Sequence, residues 1–160
     1  MRTENFSSYL VAAHQGRPVG PGISYKVSAD RLNGAISLFE GVLPPSAFVD
    51  LHTHSHEDEC SHILSGHLTF LVGDERIEAG PGSYVLKPRE VPHAFWNATQ
   101  EPARVLEITS PGNLDDYYPQ LMALFKSAPQ SNGEAVKQLA ERYGIRYHLA
   151  ESVALRQALR

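Results

Sequence analysis

The chain reads as an all-β protein, a sandwich or barrel of antiparallel strands followed by short C-terminal helices. Short apolar stretches recur from residue 23 to about residue 110, and turn residues interrupt them every few positions. Helical periodicity begins only after Pro111-Gly112. At 160 residues the chain fits one domain, long enough to bury a core without disulfide staples.

Residues 1–22 are mixed in character and end in the turn-rich Gly16-Arg-Pro18-Val-Gly20-Pro21-Gly22, which reads as an N-terminal arm. Residues 23–112 form the β unit. Its apolar stretches include Ala35–Phe39, Ile63-Leu64, Leu68–Val72, Tyr84–Leu86 and Arg104–Ile108. Pro44-Pro45, Gly73-Asp74, Gly80-Pro81-Gly82, Pro88 and Pro92 separate them. Strands this short, with turns this frequent, favour antiparallel sheets over βαβ units. Residues 113–160 are expected to form a helical extension packed on the barrel or on a partner subunit. Tyr117, Tyr118, Leu121, Leu124 and Phe125 recur at helical spacing, with Asp115 or Asp116 as cap or first-turn carboxylate. After a polar break at 127–132, Val136, Leu139, Ala140 and Tyr143 mark a second helix that Gly144 stops. A third short helix is expected within 150–160.

Composition narrows the partners. A formal net charge of −4 gives no basic footprint for nucleic acid. No apolar run reaches the length of a membrane span, and Met1-Arg-Thr-Glu-Asn5 lacks the basic and apolar regions of a signal peptide. The expectation is a cytosolic, cytoplasmic protein. Cys60 is the only cysteine, which excludes an intrachain disulfide and a thiolate zinc cluster. It sits in an expected strand, where free cysteine behaves as a small apolar residue rather than a nucleophile.

The run His52-Thr-His54-Ser-His56-Glu57-Asp58-Glu59 crowds three imidazoles and three carboxylates into eight positions, and His93 follows downstream. These are the donors that iron, manganese, nickel, copper or zinc binds. His52 and His54 are two apart and share one face of a strand. Glu59 shares that face only if a turn at 55–58 starts a new strand, on which Glu59, Ser61 and Ile63 then point the same way. His93, Phe95 and Asn97 share a face of a strand that begins after Pro92. Three imidazoles and one carboxylate then converge and leave up to two positions of an octahedral ion open. A second register stays open, in which His54 and His56 form the pair. The first is preferred because a strand holds a ligand more rigidly than a loop. His62 and His67 read as packed or surface imidazoles, and His14 and His148 carry no signal. Glu57 and Asp58 read as a solvated turn, or as a partner orienting a ligand histidine.

These residues resemble the cupin family. His52-x-His54-x4-Glu59-x6-Gly66 is similar to its first motif from the histidines onward, and Gly82-x5-Pro88-x-Glu90-x2-His93-x3-Asn97 to its second. Two motif glycines are replaced, by Ser46 and Glu90, so either these residues adopt a glycine-like conformation or the turns differ. The resemblance implies a double-stranded β-helix, or jelly-roll, cupin barrel. It also implies one divalent transition metal ion (Fe, Mn, Ni, Cu or Zn) held by His52, His54, Glu59 and His93. The run Glu101–Gly112 and the aromatic helix after it resemble the single-domain cupins related to bacterial quercetin 2,3-dioxygenase.

That narrower resemblance implies a dioxygenase acting on a flavonol-like or other small hydroxylated substrate. Glu59 would be ligand and proton acceptor, and Ser61, Phe95, Asn97, Phe70 and Phe48 would line the cavity. The alternatives are a non-oxidative isomerase, decarboxylase or hydrolase acting through Lewis-acid polarisation, and a non-catalytic small-molecule-binding barrel. Pairing as a homodimer is a further expectation from the resemblance.

Overall fold

The computed structural model describes residues 9–127 and 133–159. The first eight residues of the expected arm lie outside that range. The strands are β1 (Arg17–Gly20), β2 (Ile23–Val27), β3 (Ser37–Leu43), β4 (Phe48–His54), β5 (Asp58–Ser65), β6 (Leu68–Val72), β7 (Glu75–Ala79), β8 (Tyr84–Lys87), β9 (His93–Trp96), β10 (Ala103–Ser110) and β11 (Ile145–Tyr147). The helices are α1 (Tyr117–Ser127), α2 (Gly133–Arg142) and α3 (Leu149–Ala158), with a short 3-10 turn at Ala29–Leu32.

The strands form two sheets, ordered β1-β2-β3-β10-β5-β8 and β11-β4-β9-β6-β7, with antiparallel pairing throughout. This is the expected all-β jelly roll with short C-terminal helices. Alternation makes the inner layer: along β10, Ala103, Val105, Glu107 and Thr109 are buried while the residues between them are not. Leu43, Ile63, Leu68, Phe70, Val85, Phe95 and Val105 interlock between the sheets. Burying each large side chain among them stabilises the fold by about 1.5–3 kcal/mol.

The C-terminal segment has its own core of Leu114, Tyr117, Leu121, Leu139, Ala140 and Ile145. It packs on this chain's own sheets, α1 against β1, α2 against β11 and α3 against β4. Gly144 follows α2 with a φ of 70°, and a Cβ there would collide with Ser55 Oγ, so the stop is both conformational and steric. Two strands fall where none was expected. β1 lies inside the arm, and β11 extends the five-stranded sheet along β4 at Ile145–Tyr147. Asp115 does not cap α1. Its carboxylate accepts a hydrogen bond from Ala29 N–H at 2.5 Å and anchors the 3-10 turn instead.

Candidate metal centre

The four residues of the expected ligand set come from three strands. β4 supplies His52 and His54, β5 supplies Glu59 and β9 supplies His93. All four are buried, and one donor atom from each lies within 4.8 Å of the others. His52 and His93 sit directly opposite in the β4–β9 register, with ring centroids 4.4 Å apart. His56 is exposed, so the register using His52 is the one the fold adopts. The turn at 55–57 ends β4 and lets Glu59 face the histidines from the other sheet. Glu57 and Asp58 part ways in that turn: Glu57 is fully buried, while Asp58 is exposed and paired with Arg89 at 2.6 Å.

The imidazoles are oriented by partners that fix their tautomers. His52 Nδ1 donates to Asp50 O at 2.6 Å and His93 Nδ1 to Val91 O at 3.0 Å. A carbonyl oxygen only accepts, so in the neutral ring each Nε2 carries the lone pair. His54 Nδ1 lies 3.3 Å from Glu57 Oε2, an acceptor of the same sense. Burial, then the neighbouring His93 and His54, push His52 well below the usual imidazole range and keep it neutral.

Three lone pairs and a carboxylate then point at one another. Glu59 Oε2 stands 3.1 Å from His93 Nε2 and 3.6 Å from His54 Nε2. His54 Nε2 is buried without a hydrogen-bond partner, an arrangement that is costly unless a cation fills the space. Three neutral imidazoles and one carboxylate are a donor set suited to a divalent transition metal. The cluster can therefore hold such an ion.

The sequence reading missed two charged residues beside this cluster. Lys87 on β8 and Glu107 on β10 are both buried. Lys87 Nζ lies 2.7 Å from Glu107 Oε2 and 3.2 Å from Glu59 Oε2. Ser61 Oγ donates to Glu107 Oε1 at 2.7 Å. Burial alone would push the Glu59 carboxyl up, but the Lys87 ammonium beside it outweighs burial and holds it well below the usual range. Lys87 in turn is raised: burial opposes its charge, and Glu107 and Glu59 more than restore it. The available signal was strand alternation alone, which puts Lys87 on the face of Val85, and Glu107 on that of Val105.

The expected cavity residues divide. Ser61 is inward and buried but bonded to Glu107. Phe70 and Phe95 stack at 5.3 Å in the barrel core, and Lys87 Nζ stands 5.1 Å from the Phe95 ring. Asn97 is not free to meet a substrate. Its amide donates to Leu43 O and Glu101 O, and its oxygen accepts from Thr99 N, so it ties a turn together. Phe48 is corrected as well. The β4–β9 register slips between Val49 and His52, which puts Phe48 and His52 on opposite faces although they are four residues apart. Phe48 stacks on Trp96 at 5.6 Å, and the Arg156 guanidinium sits 4.2 Å above its ring. Cys60 is raised by burial and by Glu107, the opposite of an activated thiol.

Tyrosines from the C-terminal segment stand beside the cluster. Tyr147 pairs opposite His52, with rings 5.7 Å apart, and its hydroxyl hydrogen-bonds that of Tyr117 at 2.9 Å. Both replaced motif glycines, Ser46 and Glu90, adopt the glycine-like conformation with φ of 64°. Gly66 keeps its glycine for a second reason: a Cβ would meet Ala103 Cα at 2.8 Å.

Comparison with known proteins agrees with this geometry. Residues 39–109 match a family model described as a cupin domain. No curated protein matches the chain. Among solved structures, a predicted oxalate decarboxylase from Thermotoga maritima is 22% identical with a TM-score of 0.53, over 56% of this chain and 78% of that one. KdgF from a Halomonas species is 19% identical with a TM-score of 0.51, over 61% and 86%. A Klebsiella pneumoniae protein with a double-stranded β-helix domain is 18% identical with a TM-score of 0.51, over 61% and 84%. At such identities these likenesses speak for the fold alone. No described helix is long and apolar enough to cross a membrane. The family match covers residues 39–109, the part of the chain that holds the two-sheet barrel and both motifs.

Proposed function

We propose that this chain is a metal-dependent cupin enzyme, a dioxygenase of the quercetin 2,3-dioxygenase-like type acting on a small hydroxylated organic substrate. The observation that carries the reading is the set of three Nε2 lone pairs and one carboxylate oxygen aimed at a common point inside the barrel. A divalent ion held there by His52, His54, Glu59 and His93 would supply Lewis acidity toward a substrate oxygen. The residues around it do the rest. His52, His54 and His93 are neutral holders, fixed by Asp50 O, Glu57 and Val91 O. Lys87 and Glu107 cancel in charge, so three neutral rings, one carboxylate and a dication leave one positive charge, which suits an ionised substrate hydroxyl. Phe95 and Phe70 keep the barrel beneath dry, and Tyr147 offers an aromatic wall beside His52.

One observation supports a non-oxidative reading beside it. Lys87 holds Glu59 ionised, which makes Glu59 a poor acceptor for a substrate proton. A substrate that arrives already ionised, such as a carboxylic acid, needs no such acceptor. Decarboxylation or isomerisation would then proceed on the same ligands.

The metal is to be identified first, by elemental analysis of protein purified without a histidine tag. Oxygen uptake is then followed with a flavonol on the iron-, manganese- or nickel-loaded protein. Uptake that is lost in Glu59→Gln supports the dioxygenase. Turnover of small acids without oxygen consumption favours the second reading. A protein that neither retains nor binds metal on titration overturns both.

A further inference from the structure

Along its inner face the six-stranded sheet carries a row of polar groups that the four-ligand set does not use. Lys87 and Glu59 are directly opposite on β8 and β5, and Ser61 and Glu107 on β5 and β10. We propose, on the metal-centre reading above, that Lys87 and Glu107 form a positioning pair that fixes Glu59 as a one-oxygen ligand and so keeps a coordination position free for substrate.

Glu107 is immobilised at both ends: Lys87 takes Oε2 and the Ser61 hydroxyl takes Oε1, each at 2.7 Å. Lys87 is immobilised in turn. It spans two carboxylates, and its Nζ stands 5.1 Å from the Phe95 ring. A lysine 1% exposed remains inside only where its charge is matched, and one carboxylate would suffice for that. The second carboxylate therefore has another use.

Glu59 shows what that use is. The oxygen nearest the histidines, Oε2, is also the oxygen that faces Lys87 at 3.2 Å. A carboxylate oxygen has two in-plane lone pairs. One directed at Lys87 leaves the other for an ion among the imidazoles. Lys87 held at Oε2 resists the turn of the carboxylate that would bring Oε1 to the same ion, because such a turn would leave a buried ammonium with Glu107 alone. The pair thus opposes two-oxygen chelation, which would occupy a position that a substrate oxygen needs.

The test uses the full chain loaded with zinc or cobalt. Infrared difference spectra, with the Glu59 band identified by its loss in Glu59→Gln, report the gap between antisymmetric and symmetric carboxylate stretches. That gap is wide for one-oxygen and narrow for two-oxygen binding. The visible absorption of the cobalt form weakens as the coordination number rises. Wild type is expected to show the wide gap. Lys87→Met and the double variant Lys87→Met/Glu107→Gln are expected to show a narrow gap, weaker cobalt absorption and a metal affinity changed by about tenfold. The double variant leaves no unpaired Glu107 and carries the test if the single variant does not fold. A narrow gap in wild type, or metal-bound variants with unchanged spectra, overturns the positioning role alone. A wild type that binds neither ion overturns the metal-centre reading and the positioning role with it.

Discussion

Ser46 and Glu90 both hold φ at 64°, in the left-handed region where a side chain is strained and glycine is not, and replacing each with glycine is expected to stabilise the fold. Left-handed backbone costs a non-glycine residue about 1–2 kcal/mol. Glycine gives back about 0.5–1 kcal/mol through its larger loss of freedom on folding. The difference is a gain of about 0.5–1 kcal/mol per site. The turns keep their main-chain bonds in either variant, because these use the backbone alone: Ser46 N–H to Asn97 O at 3.1 Å, and Glu90 N–H to His54 O at 2.8 Å. The two sites flank opposite ends of β9 and share no partner, so the double variant should gain about 1–2 kcal/mol. For a chain of this size that is a rise of about 2–4 °C per kcal/mol in melting temperature. Thermal and urea unfolding of the metal-free protein measures it, with chelator present so that ligand binding does not contribute. If neither single variant raises the midpoint, the strain argument is wrong and the two side chains hold favourable contacts that outweigh it.

Replacing Glu57 with Leu should remove the acceptor that orients His54 and weaken metal binding about 10–100-fold, read by calorimetric titration; unchanged affinity would show that Glu57 does not set the His54 tautomer. The metal-free protein should lose stability as pH falls. His52 stays neutral when folded, because burial, His93 and His54 depress it, whereas the unfolded chain takes up a proton below about pH 6.5. Stability is therefore full above that pH and declines below it, by up to about 1.4 kcal/mol per pH unit for this one residue. Urea midpoints across this range should show a shallower slope in His52→Gln. Adding a divalent metal at about one hundred times its dissociation constant should stabilise the fold by about 2.7 kcal/mol, an effect that a chelator reverses in a melting scan.

How much of this could be read from the sequence varies residue by residue. Period-two alternation was enough to put His52 with His54, Glu59 with Ser61 and Ile63, and His93 with Phe95, because each group lies within one regular strand. It failed for Phe48, since a bulge between Val49 and His52 inverts the face, and no residue type there announces it. Asn97 shares the inward face of His93 as alternation predicts, yet its amide is consumed by Leu43 O, Glu101 O and Thr99. Face is legible from sequence, whereas what a polar side chain bonds is decided by segments distant in the chain. β11 was invisible for a related reason. Three residues between two helices carry too little pattern, and their extended form comes from pairing with β4 some ninety positions earlier.

Lys87 and Glu107 escaped attention because a charged residue in a strand is ordinarily taken as solvent-facing. Their burial makes sense only once the two sheets face each other. The five-stranded sheet supplies the three imidazoles, and the six-stranded sheet supplies Glu59, Lys87 and Glu107. Neutral donors on one wall cost little to bury, but the other wall carries two carboxylates against one ammonium, a net negative charge taken out of water. Within the first sheet nothing offsets it, since the nitrogens of His52 and His93 that face inward present lone pairs rather than protons. A dication between the walls is what makes both halves favourable at once, so binding the metal and holding the sheets together are expected to be the same free energy seen from two sides.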